Sequence, residues 1–156
     1  MFVSCYKYNI GSTTTKRTME RLIRFGVSVP ESLLKKFDKL IKARNYGNRS
    51  EAIRDLIRES FVEEEWTLAK DVAGGISMVY DHHQRHLVNI LIDTQHKFHN
   101  LIISSQHIHL DHKNCLEFIV VKGKAEEVKK LYNILKSTKG VKHVGLMKST
   151  VGKEIA

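Results

Sequence analysis

The chain has 156 residues, 42% hydrophobic and 28% charged, enough apolar content for one medium domain or two small ones. No apolar run reaches the ~20 residues of a membrane helix, and the start lacks the charged, apolar and small-residue blocks of a secretory leader, so a cytoplasmic location is expected. A net charge of +9 suits an anionic partner but is spread along the chain and does not select DNA by itself, while two cysteines set far apart, Cys5 and Cys115, exclude a disulfide framework.

Residues 1–21 carry no helical or strand period, and Gly-Ser-Thr-Thr-Thr reads as loop, so a flexible tail is expected there. Met19, just before the first element, is a candidate start of translation. The lesser reading of the tail is a basic arm that touches phosphates through Lys16 and Arg17.

Residues 22–29, LIRFGVSV, are rich in β-formers and stop at Pro30, which suits the first turn of a helix. In the helix that follows, Leu33, Leu34, Phe37, Leu40 and Ile41 fall at helical spacing, and Asn45-Tyr46-Gly47 closes it. Asn48 caps a second helix with Glu51 three residues on, and Ala52, Ile53, Leu56, Ile57 and Phe61 form its apolar stripe. One strand and two short helices cannot pair the strand's backbone or bury both stripes. The expected solution is a homodimer whose two strands pair as an antiparallel ribbon above four helices, a shape that enters a DNA major groove. Alternation then presents Arg24, Gly26 and Ser28 outward and turns Phe25, Val27 and Val29 to the core.

This segment, with NRSEAIRD at 48–55, resembles the ribbon-helix-helix family of DNA-binding domains. The resemblance implies contacts from Arg24, Gly26 and Ser28 to the bases of double-stranded operator DNA. It also implies phosphate contacts from the backbone amides of Asn48, Arg49 and Ser50, where a helix N-terminus favours anions. Gly26 departs from the polar residue usual there, so base reading is expected of Arg24, Ser28 or DNA shape.

The pattern changes at 62–70, VEEEWTLAK, where three glutamates end the helix against its dipole. A boundary is expected near 63–73, between a DNA-binding unit at 22–65 and a second unit at 73–150, with Trp66 at the seam. The second unit reads as strands at 75–81, 101–110, 115–121 and 141–147 and helices at 84–100 and 124–136. The expected fold class is therefore α+β, a dimeric β-ribbon domain followed by a ferredoxin-like βαββαβ (ACT-like) domain.

Eight of the nine histidines fall between His82 and His112. His107 and His109 are two apart in an apolar run, so on a strand both imidazoles point the same way. If Asp-His-Lys-Asn reverses the chain, Cys115 opens the next strand beside them, and one hairpin supplies two nitrogens and a thiolate. His96 on the preceding helix is the best fourth donor. A planar N₃S set suits Ni(II) or Cu(II) and a tetrahedral one Zn(II), so donor chemistry leaves the metal open. His83, His86, His99 and His112 read as surface histidines or weak extra sites.

Gln95-His96, His107-x-His109 and Cys115-Leu-Glu117, behind a ribbon-helix-helix segment, resemble the nickel-responsive transcriptional regulator family over residues 22–148. The resemblance implies one square-planar Ni(II) per subunit, held by His107, His109 and Cys115 of one subunit and His96 of a neighbour in a homotetramer. Tyr80, His82 and Glu117 match positions near the metal, and Glu51 and Asp55 match a cation site between the domains. The expected function is a Ni(II)-dependent repressor and not an enzyme, since four protein donors leave a metal no open position. A regulator answering to copper, zinc or a small molecule is the alternative.

Overall fold

The computed structural model describes residues 21–153 and residue 155. The expectations for the tail, including the start at Met19 and phosphate contacts from Lys16 and Arg17, fall on residues 1–20 and lie outside the described residues.

Residues 21–30 form neither helix nor strand, so the strand expected at 22–29 is absent from the single chain. A strand is held by its ladder, and the expected partner here is a second copy of the same segment. The side chains lack a partner in the same way. Phe25 and Val27, expected to face a core, are 67% and 63% exposed, and Val29 is exposed too.

Helix α1 (Glu31–Ala43) starts on the Pro30 carbonyl, which accepts from the Leu33 and Leu34 amides. Helix α2 (Arg49–Thr67) starts on Asn48, whose Oδ1 accepts from the Glu51 amide at 2.9 Å. The Arg49 guanidinium then forks onto the Asp38 carboxylate at 2.7 and 2.8 Å and ties the two helices together. Ile41 and Ala52 are buried, but Leu33, Leu40, Leu56, Ile57 and Phe61 of the two expected stripes remain exposed. One chain closes only part of this apolar surface.

The glutamate run does not end α2, which continues for 19 residues to Thr67. Charges from distant sequence answer it. Lys148 meets Glu63 at 2.6 Å, and Lys129 donates to the Trp66 carbonyl at 2.6 Å, at a helix end with no basic residue of its own. Trp66 is buried within the core of the following sheet and donates through Nε1 to the Ser149 carbonyl at 2.8 Å. A Cβ on Gly74 would stand 2.8 Å from the Met147 carbonyl oxygen and 3.2 Å from the Trp66 ring, so glycine here lets the neighbouring strand and the ring approach together.

That sheet holds β1 (Asp71–Asp81), β2 (Ile102–His109), β3 (Asn114–Lys124) and β4 (Val141–Thr150), with α3 (Arg85–Lys97) and α4 (Ala125–Ser137) between them. All pairings are antiparallel, in the order β2-β3-β1-β4, as expected for a ferredoxin-like βαββαβ unit. Strand β1 begins four residues before the expected 75, because Asp71, Val72 and Gly74 pair with Lys124, Gly123 and Val121. Cross-strand pairing here overrides the poor strand propensity of Ala-Gly-Gly. Val72, Ile76, Met78, Ile119 and Val121 from the sheet pack with Leu87 and Leu91 of α3 and Val128, Leu131 and Leu135 of α4. Each such buried aliphatic side chain contributes about 1.5–3 kcal/mol. No described helix is long and apolar enough to cross a membrane. Strand β2 is an edge, and its residues from Ile103 to His109 are exposed.

Candidate metal centre

The β2–β3 turn is built by one aspartate. Asp111 Oδ1 accepts from the Lys113 and Asn114 amides at 2.8 Å each, and Oδ2 from the Asn114 side chain at 2.6 Å. These bonds, the Asn114 side chain foremost, lower the Asp111 carboxyl to a pKa of about 2. Asp-His-Lys-Asn therefore reverses the chain and fixes the register. His109 faces Cys115 and His107 faces Glu117, while Tyr80 of β1 faces Cys115 from the other side. Directly paired residues project to one face, so these five side chains gather at one end of the helix-covered face.

Cys115 is a free thiol with 0% exposure. Its Sγ lies 3.2 Å from His109 Nδ1 and 3.2 Å from His82 Nδ1. Burial pushes the thiol pKa up, with the negative charges of Asp111, Asp81 and Glu117 adding to it, so the metal-free group is neutral at pH 7. Burial also lowers the pKa of His82, followed by the effects of His83 and His109, which keeps that imidazole neutral and able to ligate. An ion about 2.3 Å from sulfur and about 2.0 Å from nitrogen separates those donors by about 3.0 Å at a right angle and about 3.5 Å at a tetrahedral angle. The 3.2 Å spacings fit such a cation without backbone movement.

His82, His109 and Cys115 place their donor atoms within 4.8 Å of one another. His82, expected only near the site, is thus a direct neighbour of the thiol. His107 stands beside this group, its ring 5.0 Å from that of His109, and its Nδ1 lies 3.1 Å from the Tyr80 hydroxyl. That hydroxyl donates its single proton to Glu117 Oε2 at 2.9 Å. It therefore accepts from His107 Nδ1–H, which leaves Nε2 of His107 with a free lone pair. Burial and the Glu117 charge raise the Tyr80 pKa and keep the phenol protonated.

Glu117 is 6% exposed, and its other oxygen accepts from Gln95 Nε2 at 2.8 Å. One carboxylate thus links β1, β2 and α3. Gln95 was not among the expected site residues; the available signal was its place next to His96 on a helix that packs on the sheet. Consecutive helical side chains diverge by about 100°. Gln95 turns in to Glu117, whereas His96, on the last turn of α3, is exposed and stands outside the donor group among the described residues.

The other expected site residues lie apart from this centre. Arg24, Gly26 and Ser28 occupy the exposed segment before α1. At the start of α2 the Asn48 side chain is used as a cap and the Arg49 guanidinium is held by Asp38, so this end of the helix, with Ser50, offers backbone amides. Glu51 and Asp55 are one turn apart on α2, and Asp55 is engaged by Arg58 at 3.2 Å and by the Tyr46 hydroxyl. They join no larger donor group among the described residues.

Comparison with known proteins matches both halves of the chain. Residues 23–64 match the family described as ribbon-helix-helix protein, copG family, and residues 73–149 match the NikR C terminal nickel binding domain. A protein of Syntrophus aciditrophicus is 58% identical over 134 residues, which cover 86% of this chain and 98% of the relative. Relatives from Chlorobium limicola and Pyrococcus furiosus are each 52% identical over 86% of this chain, and 100% and 98% of their own lengths are covered. All three bear the name nickel-responsive regulator. With the buried thiol and imidazoles in the half that matches the nickel-binding domain, this chain belongs to the family of nickel-responsive regulators.

Proposed function

We propose that this chain is a Ni(II)-dependent repressor acting as a cytoplasmic homotetramer on double-stranded operator DNA. The observation that carries the reading is Cys115 Sγ set 3.2 Å from His109 Nδ1, beside a His107 whose Nε2 is left free. His107, His109 and Cys115 of one subunit hold one Ni(II), and His96 of a neighbouring subunit completes four donors. The outward turn of His96 next to the inward turn of Gln95 supports that division. Bound nickel supplies a bond between subunits.

The chain's own residues do the rest. Tyr80 and Glu117 hold His107 in the ligating tautomer, and Gln95 ties α3, and so the base of His96, to the same carboxylate. Helix α2, anchored in the sheet by Trp66, carries the arrangement of the sheets to the segment with Arg24, Gly26 and Ser28. That segment pairs with its copy in a second subunit, and Phe25, Val27, Leu33, Leu56, Ile57 and Phe61, exposed in one chain, supply the dimer core. Backbone amides of Asn48, Arg49 and Ser50 take phosphates, and Glu51 with Asp55 takes a cation where the two domains meet.

The test is a titration of operator DNA with the full chain, with and without Ni(II). Nickel is expected to tighten binding by about 5- to 150-fold, the usual span of a coupling energy, and Cys115→Ala to abolish the difference. Equal affinity in both conditions sinks the reading. The in-chain group of His82, His109 and Cys115 favours one second reading, a tetrahedral ion such as Zn(II) as effector. Zinc that tightens operator binding where nickel does not selects it.

A further inference from the structure

The hairpin donors lie where the sheet runs out. His109 is the last residue of β2, Asn114 the first of β3 and Asp81 the last of β1, and His109 with Cys115 forms the final rung between β2 and β3. Strand ends fray, and β2 is an edge paired on one side alone. Past that rung the hairpin is held through Asn114. Its carbonyl accepts from the Leu110 and Asp111 amides at 2.9 and 3.3 Å, its own amide donates to Asp111 Oδ1 at 2.8 Å, and its Nδ2 donates to Asp111 Oδ2 at 2.6 Å. That leaves Asn114 Oδ1, which accepts from Lys142 Nζ, two strands away.

Lys142 reaches this point because β4 is irregular there. Val79 of β1 pairs with His143 and Tyr80 with Val141, so Lys142 is an extra residue with no partner in β1, a bulge of the kind that re-aims a side chain. In the order β2-β3-β1-β4 its ammonium crosses the end of β1, where Asp81 pairs with Asn114. One chain of bonds, from Lys142 to Asn114 to Asp111, ties β4 to the hairpin turn.

We propose that Lys142 is a positioning residue for nickel: by holding Asn114 it keeps the hairpin end closed, with His109 Nδ1 and Cys115 Sγ at the spacing a metal ion requires. These two donors stand 3.2 Å apart before any ion binds. Each opening of the end rung separates them, and an ion held by a frayed hairpin leaves sooner. Without the tether, part of the binding energy goes into closing the hairpin. Lys142 is exposed, so water competes for its bond and the effect is modest, while a substitution there leaves the core untouched.

This role rests on the reading that His109 and Cys115 bind nickel, and one arm of the test stands apart from that reading. Amide hydrogen exchange in the metal-free full chain follows the tether itself. In Lys142→Met the Leu110 and Asp111 amides are expected to exchange on the order of fivefold faster, with those of Ile119 and Val121 unchanged, and Lys142→Arg is expected to restore the natural rate. Competition for Ni(II) against a chelator, read by thiolate-to-nickel absorption, is expected to show on the order of fivefold weaker binding in Lys142→Met and natural binding in Lys142→Arg. In an Asn114→Ala background, which has no Oδ1 to accept, Lys142→Met is expected to add nothing. Unchanged exchange, natural nickel affinity in Lys142→Met, or the same loss in the Asn114→Ala background overturns the role of Lys142. If the natural chain gives no thiolate absorption, the ligand reading fails and the nickel role with it, and exchange still decides for or against the tether.

Discussion

Glu117→Gln isolates the step by which a buried carboxylate prepares a metal ligand. Glu117 accepts from the Tyr80 hydroxyl at 2.9 Å and from Gln95 at 2.8 Å, and has no other hydrogen-bond partner among the described residues. Glutamine of the same shape keeps one acceptor oxygen. If that oxygen stays with Gln95, the new amide donates to Tyr80, and the hydroxyl proton swings to His107 Nδ1. The proton of His107 then moves to Nε2, and the lone pair for the metal is lost. A hydrogen bond to a charged group contributes about 1.5–3 kcal/mol, so nickel affinity is expected to fall roughly 10- to 100-fold. Competition against a chelator, read by thiolate-to-nickel absorption, measures the affinity, and ¹⁵N shifts of the metal-free chain report the His107 tautomer. Tyr80→Phe is expected to act through the same link, so the double variant loses less than the sum of the singles. Natural affinity in Glu117→Gln, with Nδ1 of His107 still protonated, refutes the reasoning.

Two further perturbations test the frame that carries the site. Trp66→Ala removes a buried ring and its bond to Ser149, with an expected cost of about 3–5 kcal/mol in denaturant unfolding and loss of the nickel effect on DNA binding; an unchanged midpoint contradicts the role given to Trp66. Asp38→Asn tests the clamp between α1 and α2 through pH. The Arg49 guanidinium holds the Asp38 carboxyl below its usual range. This group therefore stabilises the fold at pH values above its unfolded pKa of ~3.9, and the contribution fades as pH falls through the lowered folded value. The variant is expected to melt lower at pH 7 and to converge with the natural chain in acid, and a gap that persists in acid counts against the clamp.

Much of the architecture was legible because local chemistry and long-range packing agree. Asn48 caps α2 by its own side chain, and Asp111 closes the hairpin with a carboxylate that accepts from the Lys113 and Asn114 amides, so the pairing of His109 with Cys115 follows from sequence spacing alone. What was not legible depended on residues far along the chain or on another chain. Helix α2 outruns its glutamates because Lys129 and Lys148 arrive from α4 and β4. His82 touches Cys115 because β1 is registered with Tyr80 opposite Cys115, which no period in β1 reveals. Gln95 was hidden by its neighbour His96, the more reactive side chain. The apolar alternation at 22–29 was legible as a strand, yet one chain offers it no ladder.

The central claim, that the metal centre is shared between subunits, is tested most directly by mixing two defective chains. His96→Ala retains His107, His109 and Cys115; Cys115→Ala retains His96. Each alone is expected to lack the complete set of four donors. Unfolded together and refolded as mixed oligomers, the two chains can join the three donors of one to the His96 of the other. Thiolate-to-nickel absorption that returns in the mixture, at up to half of its sites, is the predicted result. A mixture showing no more than the separate chains places His96 in the site of its own subunit and contradicts the account.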